Sequence, residues 1–291
     1  MTIERTPSPV TSHPGNGWPV GGDNRGMQHV LATHEWLPTE TDAGAAAPVA
    51  ILVHGVTGWG RTWWRVGPAL TGRGWRVVAV DLRGHGHSPR IEGHATVGDM
   101  AGDVVATIEW IGAPIDALIG HSLGAAVSAE LAFVRPELVR RAVLEDPPAI
   151  TRADDVEWQA KLEHELIDAH ADFGGEVKRE LDANPTWLEE DARQDVEGKR
   201  LADREGILAS FRRDTGARVL DVAPLIEVPT LYLLAAEDRS VLAGEARRQL
   251  ATSLPPHARL VVADAGHTIH RDRFDEYVAT ILGWLGPAPR R

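Results

Sequence analysis

Residues 120 to 124 read Gly-His-Ser-Leu-Gly, and this pentapeptide constrains the chain more than any other segment. An apolar run, Ile115 to Ile119, broken only by Asp116, leads into it. A small-residue stretch with helical character, Ala125 to Val134, leads away. The pattern is therefore strand, sharp turn, helix. Glycines on both sides of the serine allow the backbone to turn without a Cβ clash. Ser122 is then carried exposed at the C-terminal tip of a strand. Gly and Ser are common in turns, so the pentapeptide needs support from the rest of the chain.

A serine hydroxyl is a weak nucleophile at neutral pH and needs a base, itself oriented by an acid. His267, in Ala-Asp-Ala-Gly-His, is the base candidate, because it follows the apolar strand Ala258 to Ala263 and precedes a helix expected over Arg271 to Leu285. The acid candidate is Asp238, just after the strand Thr230 to Leu234. Glu145 and Asp146, ending the strand that starts at Arg141, are the alternative, and Asp264 is a local one. The deciding quantity is which carboxylate lies within about 3 Å of His267 Nδ1.

The order Ser122, Asp238, His267, with a G-x-S-x-G turn, matches the chain order of α/β-hydrolases. The chain resembles a serine hydrolase of that fold, over roughly Val49 to Leu285. His54-Gly55-Val56, after the strand Val49 to Val53, resembles the family's HG loop. The resemblance implies an oxyanion hole made by the backbone N–H groups of Val56 and Leu123, each worth a few kcal/mol of barrier. Asp81 to Ser88, reading D-L-R-G-H-G-H-S after the strand Arg76 to Val80, resembles the family's D-x-R-G-x-G-x-S loop, which buttresses the site. The resemblance also excludes relatives. Haloalkane dehalogenases and epoxide hydrolases of this fold carry Asp where this chain has Ser122, and with no Cys a thiol nucleophile is ruled out.

The expected fold is α/β, a mostly parallel central sheet flanked by helices. Strands alternating with helical stretches argue the same way. Residues 1–26, rich in Pro, Gly, Ser and Thr, read as a flexible arm that includes Trp18. A first strand pair is expected over Met27 to Trp36 and Val49 to Val53, joined by a turn over Pro38 to Pro48. Core helices are expected over Arg61 to Arg73, Thr96 to Ile111, Ser122 to Arg135, Leu242 to Ser253 and Arg271 to Leu285.

The core, 27–146 and 214–291, is interrupted by an insertion at 147–213 that reads as a helical cap. Its helices are expected over Asp154 to Ala171, Gly175 to Leu181 and Leu188 to Arg212. With 17 acidic against 10 basic residues, it has the solvated outer face of such a cap. Trp158, Phe173, Trp187, Leu188, Ile207 and Phe211 are the apolar side chains these helices must bury, some of them over a substrate cavity.

A net charge of −12 argues against a nucleic-acid partner. No apolar stretch reaches the roughly 20 residues of a membrane span. The N-terminus has no charged segment followed by an apolar one, so a cytoplasmic protein, monomer or homodimer, is expected. Neither a metal nor an organic cofactor is expected. His85 and His87 lack a carboxylate at ligand spacing and read as loop residues. His54 is expected to hydrogen-bond its loop, and His121 to pack behind the turn. His270 and Arg271 read as surface residues at a helix start. Of Trp59, Trp63 and Trp64, one is expected to face the cavity. Arg61 and Arg83 are candidates for pairing with a substrate carboxylate.

The resemblance thus implies a carboxylic ester hydrolase acting on small to medium apolar or aromatic esters, monoalkyl phthalates and lactones among them. The alternatives are a C–C bond hydrolase, a perhydrolase, an acyltransferase or a hydrolase-derived ligand receptor.

Overall fold

The computed structural model describes residues 2–5, 28–38, 47–112, 114–149, 154–213 and 215–286. Most of the expected N-terminal arm, Trp18 included, and residues 39–46 of the expected turn lie outside the described residues. Residues 2–5 do not form a loose arm: Thr2–Arg5 is a strand, β1.

Eight strands form one sheet. They are β1, β2 Thr33–Trp36, β3 Val49–Val53, β4 Arg76–Val80, β5 Ala117–His121, β6 Ala142–Glu145, β7 Thr230–Leu234 and β8 Arg259–Val262. The order across the sheet is β1-β2-β4-β3-β5-β6-β7-β8. The pairs β1–β2 and β2–β4 are antiparallel, and β4 to β8 are joined by parallel pairs. The expected pairing of the first two strands is therefore corrected. β2 lies against β4, with Thr33 opposite Val80, while β3 sits between β4 and β5.

The central strands are near-continuous apolar runs because helices cover both faces. Alternate side chains serve opposite sides: Ile51 and Val53 of β3 join one core cluster, and Ala50 and Leu52 join the other. The first cluster packs under α2 Val97–Ile111, α3 Leu123–Val134, α8 Val219–Val222 and α9 Gly244–Ser253. The second packs under α1 Val66–Thr71, α10 Ile269–Asp272 and α11 Phe274–Leu285. Helix α2 starts with a capping box between Thr96 and Asp99 and stops at Gly112, whose φ is +106°.

Between β6 and β7 the chain leaves the core for four helices: α4 Val156–Ala171, α5 Phe173–Ala183, α6 Glu189–Leu201 and α7 Arg204–Phe211. Three aspartates define their starts. Asp155, Asp172 and Asp203 accept from the backbone N–H groups of Trp158, Gly175 and Gly206. The single helix expected over Leu188 to Arg212 is two, because the chain is pinned to the core between them. The Asp203 N–H donates to Gly84 O at 2.7 Å, and its carboxylate accepts from Ile91 N at 2.9 Å. Ala169, Val177, Ala192 and Val196 form a small apolar centre inside the insertion. Ile207 and Phe211 are buried as expected, whereas Leu188 is 47 % exposed. Among the described residues, no helix is long and apolar enough to cross a membrane.

Candidate active site

The turn between β5 and α3 is as tight as its glycines suggest. A Cβ on Gly120 would stand 2.3 Å from Gly124 O, and one on Gly124 would stand 2.2 Å from Val53 O. Both contacts are impossible for a larger residue, so the pentapeptide is held by close approach. Ser122 between them has φ +52° and ψ −118°, a conformation that side-chain-bearing residues rarely adopt. Its N–H is anchored to Glu145 O at 2.9 Å, and its own carbonyl accepts from Ala125 and Ala126 at the start of α3. Leu123 follows as the first residue of that helix, where N–H groups have no acceptor within the helix.

The HG loop lies directly against this turn. A Cβ on Gly55 would be 3.1 Å from Ser122 Cβ and 2.9 Å from His121 Nδ1, so only glycine allows the approach. Val56 is the next residue along the chain from this close approach, and Leu123 follows Ser122 on the other segment. His54 fixes the loop, as expected. Its Nδ1–H donates to Gly55 O at 2.7 Å, and its Nε2 accepts from Leu82 N at 3.0 Å. Burial pushes the His54 pKa down to about 3, so the ring is neutral and its tautomer is set by these two bonds.

His267 sits on the loop after β8, and its acid partner is not the expected one. Nδ1 lies 2.7 Å from Asp146 Oδ2. The Asp146 carboxylate is fully buried and accepts three further bonds: from Ala235 N at 3.1 Å, Ser240 Oγ at 2.5 Å and Val241 N at 3.1 Å. Burial alone would raise its pKa. The hydrogen bond and charge of His267, with Ser240 and Val241, outweigh that and hold it below the usual carboxylate range. An ionised carboxylate can only accept, so His267 donates from Nδ1 and Nε2 is left to take a proton.

Asp238 is 81 % exposed and faces Arg239 at 3.7 Å. The turn after β7, closed by the Arg239 N–H on Ala236 O, carries it to solvent, while the strand end and the following Ser240 and Val241 turn their donors onto Asp146. Asp264 is likewise outside the site, paired with Arg239 at 2.6 Å. The sign available in sequence was Asp146 itself, at the end of the strand beside the nucleophile's strand.

Glu145 plays a different part from its neighbour. It is fully buried and accepts from both the backbone N–H and Nδ1 of His270 at 2.9 Å. Burial raises its pKa, against the pull of His121 and the His270 amide. His270 and Arg271 are not surface residues, as their polar character suggested. They are 4 % and 6 % exposed: His270 is enclosed by Trp63, His121 and Tyr277 of the core, and Arg271 Nη1 donates to Asp195 of α6 at 2.6 Å. His121 packs behind the turn as expected. Its ring lies 4.7 Å from that of His267, and its Nε2–H donates to His267 O at 3.1 Å. Burial holds both His121 and His270 neutral, well below the ordinary histidine value.

The three tryptophans after the HG loop have separate jobs. Trp59 and Trp64 donate to Gln194 O and Asp191 Oδ1 of α6, at 3.1 and 2.9 Å. Trp63 is fully buried and stacks on His270 with centroids 4.5 Å apart. Arg83 does not wait for a substrate: its guanidinium forms a two-pronged pair with buried Asp103. His85 lies in the loop and packs on His54, ring centroids 5.0 Å apart. Among the described residues, His34, Asp81 and His87 are the group with metal-ligand spacing.

A strained serine on a strand–turn–helix corner, a histidine after the last strand and a buried aspartate on that histidine fit one family model. The model for the "Alpha/beta hydrolase family" matches residues 50–280. The chain belongs to that family. A "Putative non-heme bromoperoxidase BpoC" of Mycobacterium tuberculosis is 31 % identical over 241 residues, covering 78 % of this chain and 88 % of the relative. "Epoxide hydrolase B" of the same species is 36 % identical over 92 residues, but the match spans only 26 % of its length. Among solved structures, an "enol-lactonase from Burkholderia xenovorans LB400" superposes with a TM-score of 0.69 at 22 % identity, over 88 % of this chain and 96 % of that one. "E-2-(Acetamidomethylene)succinate Hydrolase" gives 0.71 at 21 %, over 88 % and 94 %. At these identities the two structures establish the shared fold.

Proposed function

We propose that this alpha/beta hydrolase cleaves carboxylic esters of small to medium apolar or aromatic compounds through Ser122, His267 and Asp146. The observation that carries this reading is the 2.7 Å contact between His267 Nδ1 and the buried Asp146 carboxylate. It commits Nδ1 to the acid and leaves Nε2 as the base for Ser122.

Ser122 attacks the ester carbonyl as His267 takes its proton. The Val56 and Leu123 amides stabilise the oxyanion, and Asp146 stabilises the imidazolium without taking the proton. His267 then protonates the leaving alcohol. A water, deprotonated by the same ring, hydrolyses the acyl-enzyme and restores Ser122. None of these steps requires a metal or an organic cofactor. The family's epoxide hydrolases, with Asp at the nucleophile position, follow a different course, and Ser122 favours the acyl-enzyme.

A second reading rests on the bromoperoxidase relative. If hydrogen peroxide replaces water at the acyl-enzyme, the product is a peracid, and the same residues serve.

Steady-state release of p-nitrophenol from esters of graded acyl length tests the proposal, with Ser122→Ala beside the wild type. Sustained turnover that drops by roughly three orders of magnitude in the variant supports it. A single burst with no turnover, or no release at all, contradicts it.

A further inference from the structure

Asp81 lies at the end of β4, and its carboxylate turns back to meet two histidines from different segments. Oδ2 is 3.4 Å from His34 Nε2, on β2, and 3.6 Å from His87 Nδ1, in the loop after β4. The three ligand atoms all lie within 4.8 Å of one another. A tetrahedral zinc ion with bonds of 2.0–2.1 Å separates its ligand atoms by about 3.3 Å. Two edges of the triangle already match that spacing. The third closes by rotation of His87, whose side chain is 49 % exposed.

An ordinary ion pair explains only part of this arrangement. His34 Nε2 can donate to Asp81 Oδ1 at 3.2 Å. His87 Nδ1, 3.6 Å from Oδ2, stands too far away for a hydrogen bond yet faces the same carboxylate. The surroundings are built to hold the carboxylate in place. The Gly60 N–H donates to Oδ1 at 2.6 Å and the His87 N–H to Oδ2 at 2.8 Å, so backbone donors orient the carboxylate as outer-shell partners do. Two glycines clear the space. A Cβ on Gly86, at φ +52°, would sit 2.1 Å from Asp81 Oδ2, and one on Gly60 would sit 2.2 Å from His34 Cδ2. The Trp59 ring lies against both imidazoles, with centroids 5.3 Å from His34 and 5.8 Å from His87.

We propose that His34, Asp81 and His87 form a binding site for a divalent transition metal ion of the zinc type. Two imidazoles and one carboxylate favour Zn²⁺, Co²⁺, Ni²⁺ or Cu²⁺ over Mg²⁺ and Ca²⁺, which prefer all-oxygen shells. His34 then presents a lone pair at Nε2 and carries its proton on Nδ1. Three protein ligands leave a fourth position for water. The ion braces β2 against the loop after β4, under the tryptophan that holds α6. It is separate from Ser122, His267 and Asp146 and takes no part in ester cleavage.

Isothermal titration of the full chain with Zn²⁺ tests the site, alongside His87→Ala and His164→Ala. The chain has thirteen histidines, and exposed ones bind zinc weakly, so His164→Ala on α4 is the control. The wild type and the control are expected to take one equivalent with equal affinity. His87→Ala is expected to bind at least tenfold more weakly, with its circular dichroism and ester turnover unchanged. Co²⁺ added to the wild type is expected to give a visible ligand-field band that His87→Ala lacks. No stoichiometric binding, or equal affinity in His87→Ala and the wild type, overturns the proposal.

Discussion

Trp187 of the insertion donates its indole N–H to Asp272 of the core at 2.9 Å, and the same carboxylate takes the Gly266 amide at 2.6 Å. Thr186 Oγ1 adds a third bond at 3.1 Å. Gly266 immediately precedes His267, so the carboxylate that fastens the segment before α6 also sets the loop carrying the proposed base. Asp272→Ala releases both. Displacing a catalytic group by about 1 Å can cost on the order of 100-fold. We expect kcat/KM to fall between tenfold and a hundredfold while the far-ultraviolet circular dichroism is unchanged. Steady-state kinetics that match the wild type would show the two connections to be independent.

Ser122 stores strain that a glycine would release. A residue held at φ +52° and ψ −118° costs on the order of 1–3 kcal/mol, and Ala bears that cost as Ser does. Ser122→Gly is therefore expected to be more stable than Ser122→Ala by about 1 kcal/mol, after glycine's greater loss of chain entropy. Both are expected to be inactive. Urea midpoints of the two variants measure the difference, and a less stable glycine variant would refute the strain.

Four buried histidines, His54, His85, His121 and His270, have folded pKa values below the ordinary one, in each case through burial first. For such groups the unfolded chain binds more protons in the window between the two values, so stability rises with pH there. For His54 the window runs from 6.5 down to about 3. Its contribution is complete above 6.5 and is lost as pH falls through that range. Asp146, held low, adds a further loss as pH falls below 3.8. Glu145 acts oppositely, because its raised pKa favours the folded state at low pH and that benefit fades as pH rises. The histidines outnumber it, so the urea midpoint is expected to fall steadily from pH 7 to pH 4. In His54→Gln the acid limb should be shallower, even though stability at pH 7 is lower. Parallel curves for the two proteins would exclude His54 as a source of the acid sensitivity.

Much of this arrangement is legible in the sequence, and the failures have definite physical causes. The apolar strands and the G-x-S-x-G turn are local features, and both stand where the sequence places them. His267 stands on the loop between β8 and α10, where the sequence puts it, because a loop leaving the strand before the last helices has few directions to take. The acid is harder. Asp146 and Asp238 end neighbouring strands, and the difference between them is the direction of two turns. Asp146, at φ +40°, points inward beneath donors from Ala235, Ser240 and Val241, and no local signal announces those partners. His270 and Arg271 look like solvent-facing polar residues until core aromatic rings enclose the first and Asp195 of α6 pairs with the second. Asp81 meets His87 only because the chain folds back through Gly86, a contact that spacing along the sequence hides.

The proposed mechanism depends most on which carboxylate serves His267, and one comparison tests that directly. Asp146→Asn and Asp238→Asn are assayed side by side for kcat/KM on p-nitrophenyl acetate, under identical conditions. Replacing the acid of such a triad by its amide favours the wrong imidazole tautomer and costs roughly 10⁴-fold. Asp146→Asn is expected to lose activity on that scale, and Asp238→Asn to stay within about twofold of the wild type, as an exposed surface change should. A large loss in Asp238→Asn with near-normal turnover in Asp146→Asn would contradict the assignment.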